Sequence, residues 1–260
     1  MVDAVSQTPP DPVERVAAAI ARGDVLLAFQ PVMTAGAPRR VAFHEALLRI
    51  VEEDGRVVPA GAFMDAVEAL ELARDLDVIA LRLSLRALRE TPSLRLAVNL
   101  SVRTIGHPGW TRALEEGLGG DVTVAERLIL ELTERSAHER PAEVSAFLNA
   151  LRARGIAFAL DDFGAGYTAL AQLKTLRFDI LKMNGDFFRG IARDPDNRAV
   201  VGALVSIARH FEMLTVAEYI ETAEDAACVD ALGVDCLQGY HLGRPTIAPD
   251  WAEAPLRKVG

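Results

Sequence analysis

The sequence predicts a closed (β/α)8 barrel of the TIM type, and three observations predict it. Short apolar runs with strand character alternate with helical patterns along the chain, which is the mark of parallel β/α units. The number of such runs within 260 residues suits one closed barrel better than an open sheet. Each strand run also ends on a polar residue, as a barrel with its site on the C-terminal face requires.

The elements follow in order. Residues 1–12 are polar and proline-bearing and read as a tail, with one barrel domain over 13–260. A first helix over 13–22 stops near Gly23. VLLAFQPV (25–32) and VAFHEALLRI (41–50) read as strands joined by MTAGAPRR, a Gly/Pro turn whose length suits an antiparallel pair. Further strand runs are LRLAVNLS, RLILELTE, IAFALDD, FDILKM, MLTVAE and VDCLQGY. Between them, Val144, Phe147, Leu148 and Leu151 recur at helical spacing, with Pro141 suited to a first turn and Gly155 to a stop. Val200, Leu204, Ile207 and Phe211 do the same over 195–211 and predict the buried face of a barrel-wall helix.

Composition excludes several classes. Half the residues are hydrophobic, ample for a core, and the net charge of -9 argues against duplex nucleic acid or an anionic membrane as partner. No apolar run reaches the roughly 18 residues that span a bilayer. The opening MVDAVSQTPPDP lacks the basic and apolar regions of a secretory signal. Two cysteines, Cys228 and Cys236, read as ordinary thiols in a reducing cytoplasm. Five scattered histidines show no zinc-ligand spacing. Trp110 and Trp251 read as packing residues, and His44 as packing on the outer face of its strand.

The polar strand ends are Glu45, Asn99, Glu131, Asp161 with Asp162, Lys182, Glu218 and Gln238. On a barrel these converge on one cavity. Each alone reads as a cap or a solvated loop group, but the ordinary reading has to hold at every position independently. Carboxylate and amide oxygens suit a hard divalent cation such as Mg²⁺ or Mn²⁺. Asp161 and Asp162 cannot both face inward from a regular strand. Where the chain turns they can, and a shared carboxylate could bridge two ions about 3.5–4 Å apart, as in phosphoryl-cleaving sites. Glycoside hydrolysis by a carboxylate pair is the alternative chemistry. Many acids without an aromatic platform favour metal.

These motifs resemble a known family. EALLR (45–49) looks like the signature of the EAL domain, the cyclic di-GMP phosphodiesterases of bacterial signalling. FQPV (29–32), NLS (99–101), ELTE (131–134), DDFGAGY (161–167), LK (181–182), AEYIE (217–221) and QGY (238–240) continue the match in order, over residues 15–248. The resemblance implies a TIM-barrel variant with one antiparallel strand, and hydrolysis of cyclic di-GMP to linear 5′-pGpG with two Mg²⁺ or Mn²⁺ ions and inhibition by Ca²⁺. It implies that Glu45, Asn99, Glu131 and Asp161 hold one metal, that Asp161 and Asp162 share a second, and that Glu218 completes the shell. Lys182 would orient the attacking water or neutralise charge on phosphorus. Gln30, Leu47 and Arg49 would line the ligand groove, with Arg49 near a phosphate. Gln238 and Glu221 would support the site, and Glu134 would pin the loop from Phe163 to Thr168, through which the family couples dimerisation to metal binding.

Two departures qualify the resemblance. Where the family reads KID, this chain has Lys182-Met183-Asn184, and Asn184 would ligate the second metal through its carbonyl oxygen without bringing charge. Where the family reads AEG, Tyr219 follows Glu218, a strained choice if that position needs positive φ. Ala165 for a common threonine is mild. The expectation is an active phosphodiesterase, with a receptor or dimer-mediated interaction module as the alternative. Within these 260 residues no sensory or cyclase-like segment is evident, so a stand-alone protein and an excised domain both fit.

Overall fold

A computed structural model describes residues 11–165 and 170–252. Among the described residues the chain forms nine strands: β1 (Val25–Thr34), β2 (Val41–Val51), β3 (Val57–Pro59), β4 (Leu96–Asn99), β5 (Leu128–Thr133), β6 (Ala157–Phe163), β7 (Ile180–Met183), β8 (Leu214–Ala217) and β9 (Cys236–Leu237). The sheet runs β1-β9-β8-β7-β6-β5-β4-β2-β3, and the β1–β2 pairing closes it into an eight-stranded barrel with β3 as an outlying partner of β2. β1 is antiparallel to both its neighbours, whereas β2 and β4 to β9 run parallel to one another. The reversed strand follows from the short 33–40 connection, which is too brief for a crossover helix.

Helices cover the outside. The first, Pro12–Arg22, is N-capped by Asp11, whose side chain accepts from Val13 N–H, and it ends on Gly23 in the left-handed region. In Pro141–Arg152, Val144, Leu148 and Leu151 are buried and Phe147 is partly so, packing between Trp110 and Phe158. The wall helix Pro195–His210 corrects the sequence reading. Its buried face is Val201, Leu204, Val205 and Ala208, while Val200 is 42% exposed. Ile207 and Phe211 pack only at the edge of the core. The helix thus turns the 201–204–205–208 stripe to the core and leaves Val200 outside it. The 20-residue helix Glu71–Glu90, not assigned from the sequence, packs against the helix Pro108–Leu118.

The core has two compartments. The larger lies between the barrel's outer face and the helices. The smaller is Val32, Phe43, Ala97, Ile129, Ala159, Ile180, Val216 and Cys236, one residue from each barrel strand, and it plugs the barrel's interior. On the outer face Trp251 packs edge-on against Phe29 and touches His44, at ring-centre distances of 4.8 and 5.7 Å. Trp110 is buried, both cysteines are free, and no helix among the described residues is long and apolar enough to cross a membrane.

Candidate active site

Side chains two apart on a strand share a face. Two residues beyond the apolar plug, toward the C-terminal rim, stand Glu45, Asn99, Glu131, Asp161, Lys182, Glu218 and Gln238. On reversed β1 the same step runs backward, to Gln30. Every barrel strand thus places one polar residue in a single layer above the plug.

Lys182 is at its centre. It is 1% exposed, and its Nζ lies 3.0 Å from Glu131 Oε2, 3.0 Å from Asp161 Oδ1, 3.1 Å from Glu218 Oε1 and 3.4 Å from Glu45 Oε2. Burial favours the neutral amine, but four carboxylates outweigh it and hold the ammonium well above its ordinary pKa. The acids outnumber the lysine. Burial, reinforced by neighbouring carboxylates, pushes Glu131, Asp161 and Glu218 upward against the pull of Lys182. Glu45 is the exception. Burial raises it, yet Lys182 together with hydrogen bonds from Gln238 Nε2 (2.6 Å) and Asn99 Nδ2 (3.0 Å) brings it below the usual range. Gln238 Nε2 also reaches Gln30 Oε1 at 3.2 Å, and Gln30 Nε2 donates to Gly243 O at 3.1 Å, so both glutamines brace Glu45.

The adjacent aspartates are reconciled by a β-bulge. Pairing of β6 with β7 slips between Leu160 and Phe163, and Asp162 takes a left-handed φ of 56°. Asp161 therefore keeps its inward direction while Asp162 turns to the mouth. Asp162 Oδ1 accepts from Asn184 Nδ2 at 3.3 Å. The carbonyl oxygen of Asn184, expected as a metal ligand, instead accepts from Asp186 N–H at 2.9 Å and caps the turn Gly185–Phe187.

A cavity of about 390 Å³ opens over the layer, and Gln30, Glu45, Leu47, Arg49, Asp161, Asp162, Lys182, Glu218, Glu221 and Gln238 line it. Leu47 and Arg49 continue the face of Glu45 by period 2. Burial lowers the Arg49 pKa against the opposing pull of Tyr240 and Glu45. Asn99, Glu131, Glu134 and Asn184 lie off the cavity wall. Glu134 is buried, and its Oε2 accepts from Gly164 N–H at 3.0 Å; the remainder of the loop, 166–169, is outside the described residues. Glu221, expected to support the site, lines the cavity. The following helix is capped by Thr222, and Glu221 stands exposed at the rim.

Sequence reasoning missed several contributors. Arg189, Tyr240 and the segment 59–61 also line the cavity. Asp77, on Glu71–Glu90, accepts from Ser101 N–H (3.1 Å) and Thr104 Oγ1 (2.6 Å), tying down the chain just after Asn99. Burial pushes its carboxyl up to about 6. An aspartate at helical spacing from Ala73, Ala80 and Leu81, on the apolar face, was the available signal.

Among the described residues, no three Asp, Glu, His or Cys side chains surround a common point as ligands of an ion; Lys182 holds the centre. The donor set still fits a hard divalent cation. Four carboxylates face one ammonium, with Asp162 beside them at the mouth, and Glu131 Oε1 is buried with no hydrogen-bond partner.

Comparison with known proteins identifies the family. The cyclic di-GMP phosphodiesterase PdeF of Escherichia coli is 30% identical over 235 residues, 89% of this chain and 31% of the relative. MucR of Pseudomonas aeruginosa, a bifunctional diguanylate cyclase/cyclic di-GMP phosphodiesterase, is 32% identical over 233 residues, 87% of this chain and 34% of the relative. The chain thus spans about a third of the length of these relatives. The solved PaMucR phosphodiesterase in complex with c-di-GMP superposes with a TM-score of 0.77 at 30% identity, covering 90% of this chain and 97% of that one. The c-di-GMP-bound FimX EAL domain from Pseudomonas aeruginosa gives 0.84 over 94% and 99%, and at 24% identity it speaks to the fold alone. A sequence model of the EAL domain matches residues 13–245, and the chain belongs to the EAL domain family.

Proposed function

We propose that this chain is a divalent-metal-dependent phosphodiesterase that hydrolyses cyclic di-GMP to linear 5′-pGpG. The observation that carries the reading is the closed polar layer, with its excess of carboxylate over ammonium at the floor of one cavity. The relatives' activities support it, as does a cavity volume within the ordinary range for small ligands. Glu45, Asn99, Glu131, Asp161 and Glu218 would hold one Mg²⁺ or Mn²⁺ ion, and Asp161 with Asp162 a second. When bound, such ions lower the pKa of water and neutralise phosphoryl oxygens.

The chain's own residues do the rest. Lys182 keeps a full positive charge beside the reacting group at any physiological pH, because its carboxylates hold the proton. Gln238, Gln30 and Asn99 fix Glu45, so its oxygens need no reorganisation during the reaction. Arg49 offers a guanidinium to the second phosphate. Glu134, through Gly164 N–H, holds the start of the loop by which two copies would associate as a homodimer.

Cyclic di-GMP incubated with the protein and Mn²⁺, followed by chromatography, is expected to give pGpG, with Ca²⁺ suppressing it. Absence of pGpG at stoichiometric enzyme overturns the reading. A second reading, a domain that binds cyclic di-GMP with little turnover, is favoured by one contact: the Asn184 amide N–H, in place of an added carboxylate, faces Asp162 Oδ1. Calorimetric binding without product formation would select it.

A further inference from the structure

Three non-glycine residues among those described adopt left-handed φ, and two of them, Asp162 (56°) and Tyr219 (55°), flank one short turn. Asp162 belongs to the site. Tyr219 has no part in the chemistry above, yet its backbone is held there firmly. Glu218 before it is ion-paired to Lys182. Ile220 after it is fully buried, and both its backbone groups are bonded, N–H to Gln238 O at 3.0 Å and C=O from His241 N–H at 3.1 Å. A side chain kept where glycine would be unstrained points to a use for that side chain.

The Tyr219 ring is 51% exposed, but one part is pressed onto the turn. A Cβ added to Gly185 would lie 2.0 Å from Tyr219 Cδ2, so only glycine allows the contact. The Arg189 guanidinium, four residues on, stands 4.8 Å from the ring centre. The turn therefore grips the ring at Gly185 and at Arg189. Its other side leans on the residue just after β6, where Phe187 sits against Gly164 so closely that a Cβ there would be 2.4 Å away. Asn184 lies between these contacts. Its oxygen caps Asp186 N–H, and its Nδ2 is thereby directed at Asp162 Oδ1.

We propose that Tyr219 is a positioning residue: its ring latches the turn so that the Asn184 carboxamide stays on Asp162, and the latch weakens cation binding at that carboxylate. An N–H donor on Asp162 competes with a cation for the same oxygen and contributes no negative charge. The two departures from the family pattern, Asn184 and Tyr219, are on this view one device. The consequence for metal rests on the two-ion reading above; the latch itself does not.

The test is a double-mutant cycle on the full chain, with Tyr219→Gly and Asn184→Ala, and Tyr219→Phe as the conservative variant. Mn²⁺ binding is followed by calorimetry without nucleotide. Tyr219→Gly is expected to tighten the weaker Mn²⁺ site roughly threefold to tenfold when Asn184 is present and less than about twofold when it is Ala, a coupling within the usual range for contacting residues. Tyr219→Phe should behave as the parent. Independently of metal, the Asn184 side-chain NH₂ pair in an ¹⁵N spectrum, assigned by its loss in Asn184→Ala, should shift to a free-carboxamide position in Tyr219→Gly. Equal effects of Tyr219→Gly in both backgrounds, or an unmoved NH₂ pair, overturn the proposal. A parent that binds no Mn²⁺ sinks the two-ion reading, and the NH₂ pair then decides the latch alone.

Discussion

Inside the barrel, two layers separated by two residues per strand behave in opposite ways. The plug, from Val32 to Cys236 around the ring, is apolar and satisfied by contact alone. The layer above it contributes one ammonium and an excess of acids, held in a desolvated place where burial raises three of them. The lower layer stabilises the fold, and the upper one draws on that stability. Strand geometry makes this economical: the step of two that keeps the plug in register also keeps the acids converged.

The contrast can be broken from either side. The largest effect is expected from Lys182→Met. It leaves four buried carboxylates uncompensated, which should cost about 3–5 kcal/mol in EDTA and abolish pGpG formation. The raised carboxylates take up protons as pH falls, so the loss in melting temperature should be smaller at pH 5.5 than at pH 8, and Mn²⁺ should restore part of it. Melting curves across that range, with and without Mn²⁺, check both statements. Ile180→Ala in the plug should cost about 2–4 kcal/mol by urea unfolding while Mn²⁺ stoichiometry stays unchanged. A loss of metal binding there would show that the layers are not separable.

Smaller effects sharpen the picture. Asn184→Asp keeps an oxygen for Asp186 N–H, removes the donor from Asp162 and adds charge. Activity at limiting Mg²⁺ should rise several-fold, while metal-free stability falls slightly. An unchanged Mg²⁺ dependence counts against a second ion. The smallest is Asp77→Asn. Burial raises the Asp77 pKa from 3.8 to about 6, so its contribution to stability is fully present below 3.8 and is lost as pH rises through about 6. The neutral variant should therefore melt higher than the parent at pH 8, and the gain should shrink as pH falls through about 6 and vanish only below about 3.8.

Much of this was legible because period 2 is written directly in the chain. The polar strand ends identified Glu45 to Gln238, and the 33–40 turn announced the antiparallel start. The adjacency of Asp161 and Asp162 was visible as a problem, but the bulge that solves it depends on β7 and left no local mark. The direction of the Asn184 carboxamide was hidden for the same reason, since the Asp186 amide competes for its oxygen only once the turn forms. In the helix 195–210, Val200 and Val201 are equally apolar, and only the sheet decides which one it covers. Asp77 acts on Asn99's strand from a helix more than twenty residues earlier, a distance no periodicity spans.

The reversal of β1 has a consequence for how the chain is handled from outside. Val25 lies opposite Ile50, beyond Glu45 on the side of the cavity, so the polypeptide arrives at the mouth and threads inward. In an all-parallel barrel it would arrive at the far end. Arg15 of the first helix is ion-paired to Glu52, just past the end of β2. A pull or twist applied ahead of Val25 is therefore delivered within a few residues of Arg49 and Glu45, with no need to travel the length of the barrel.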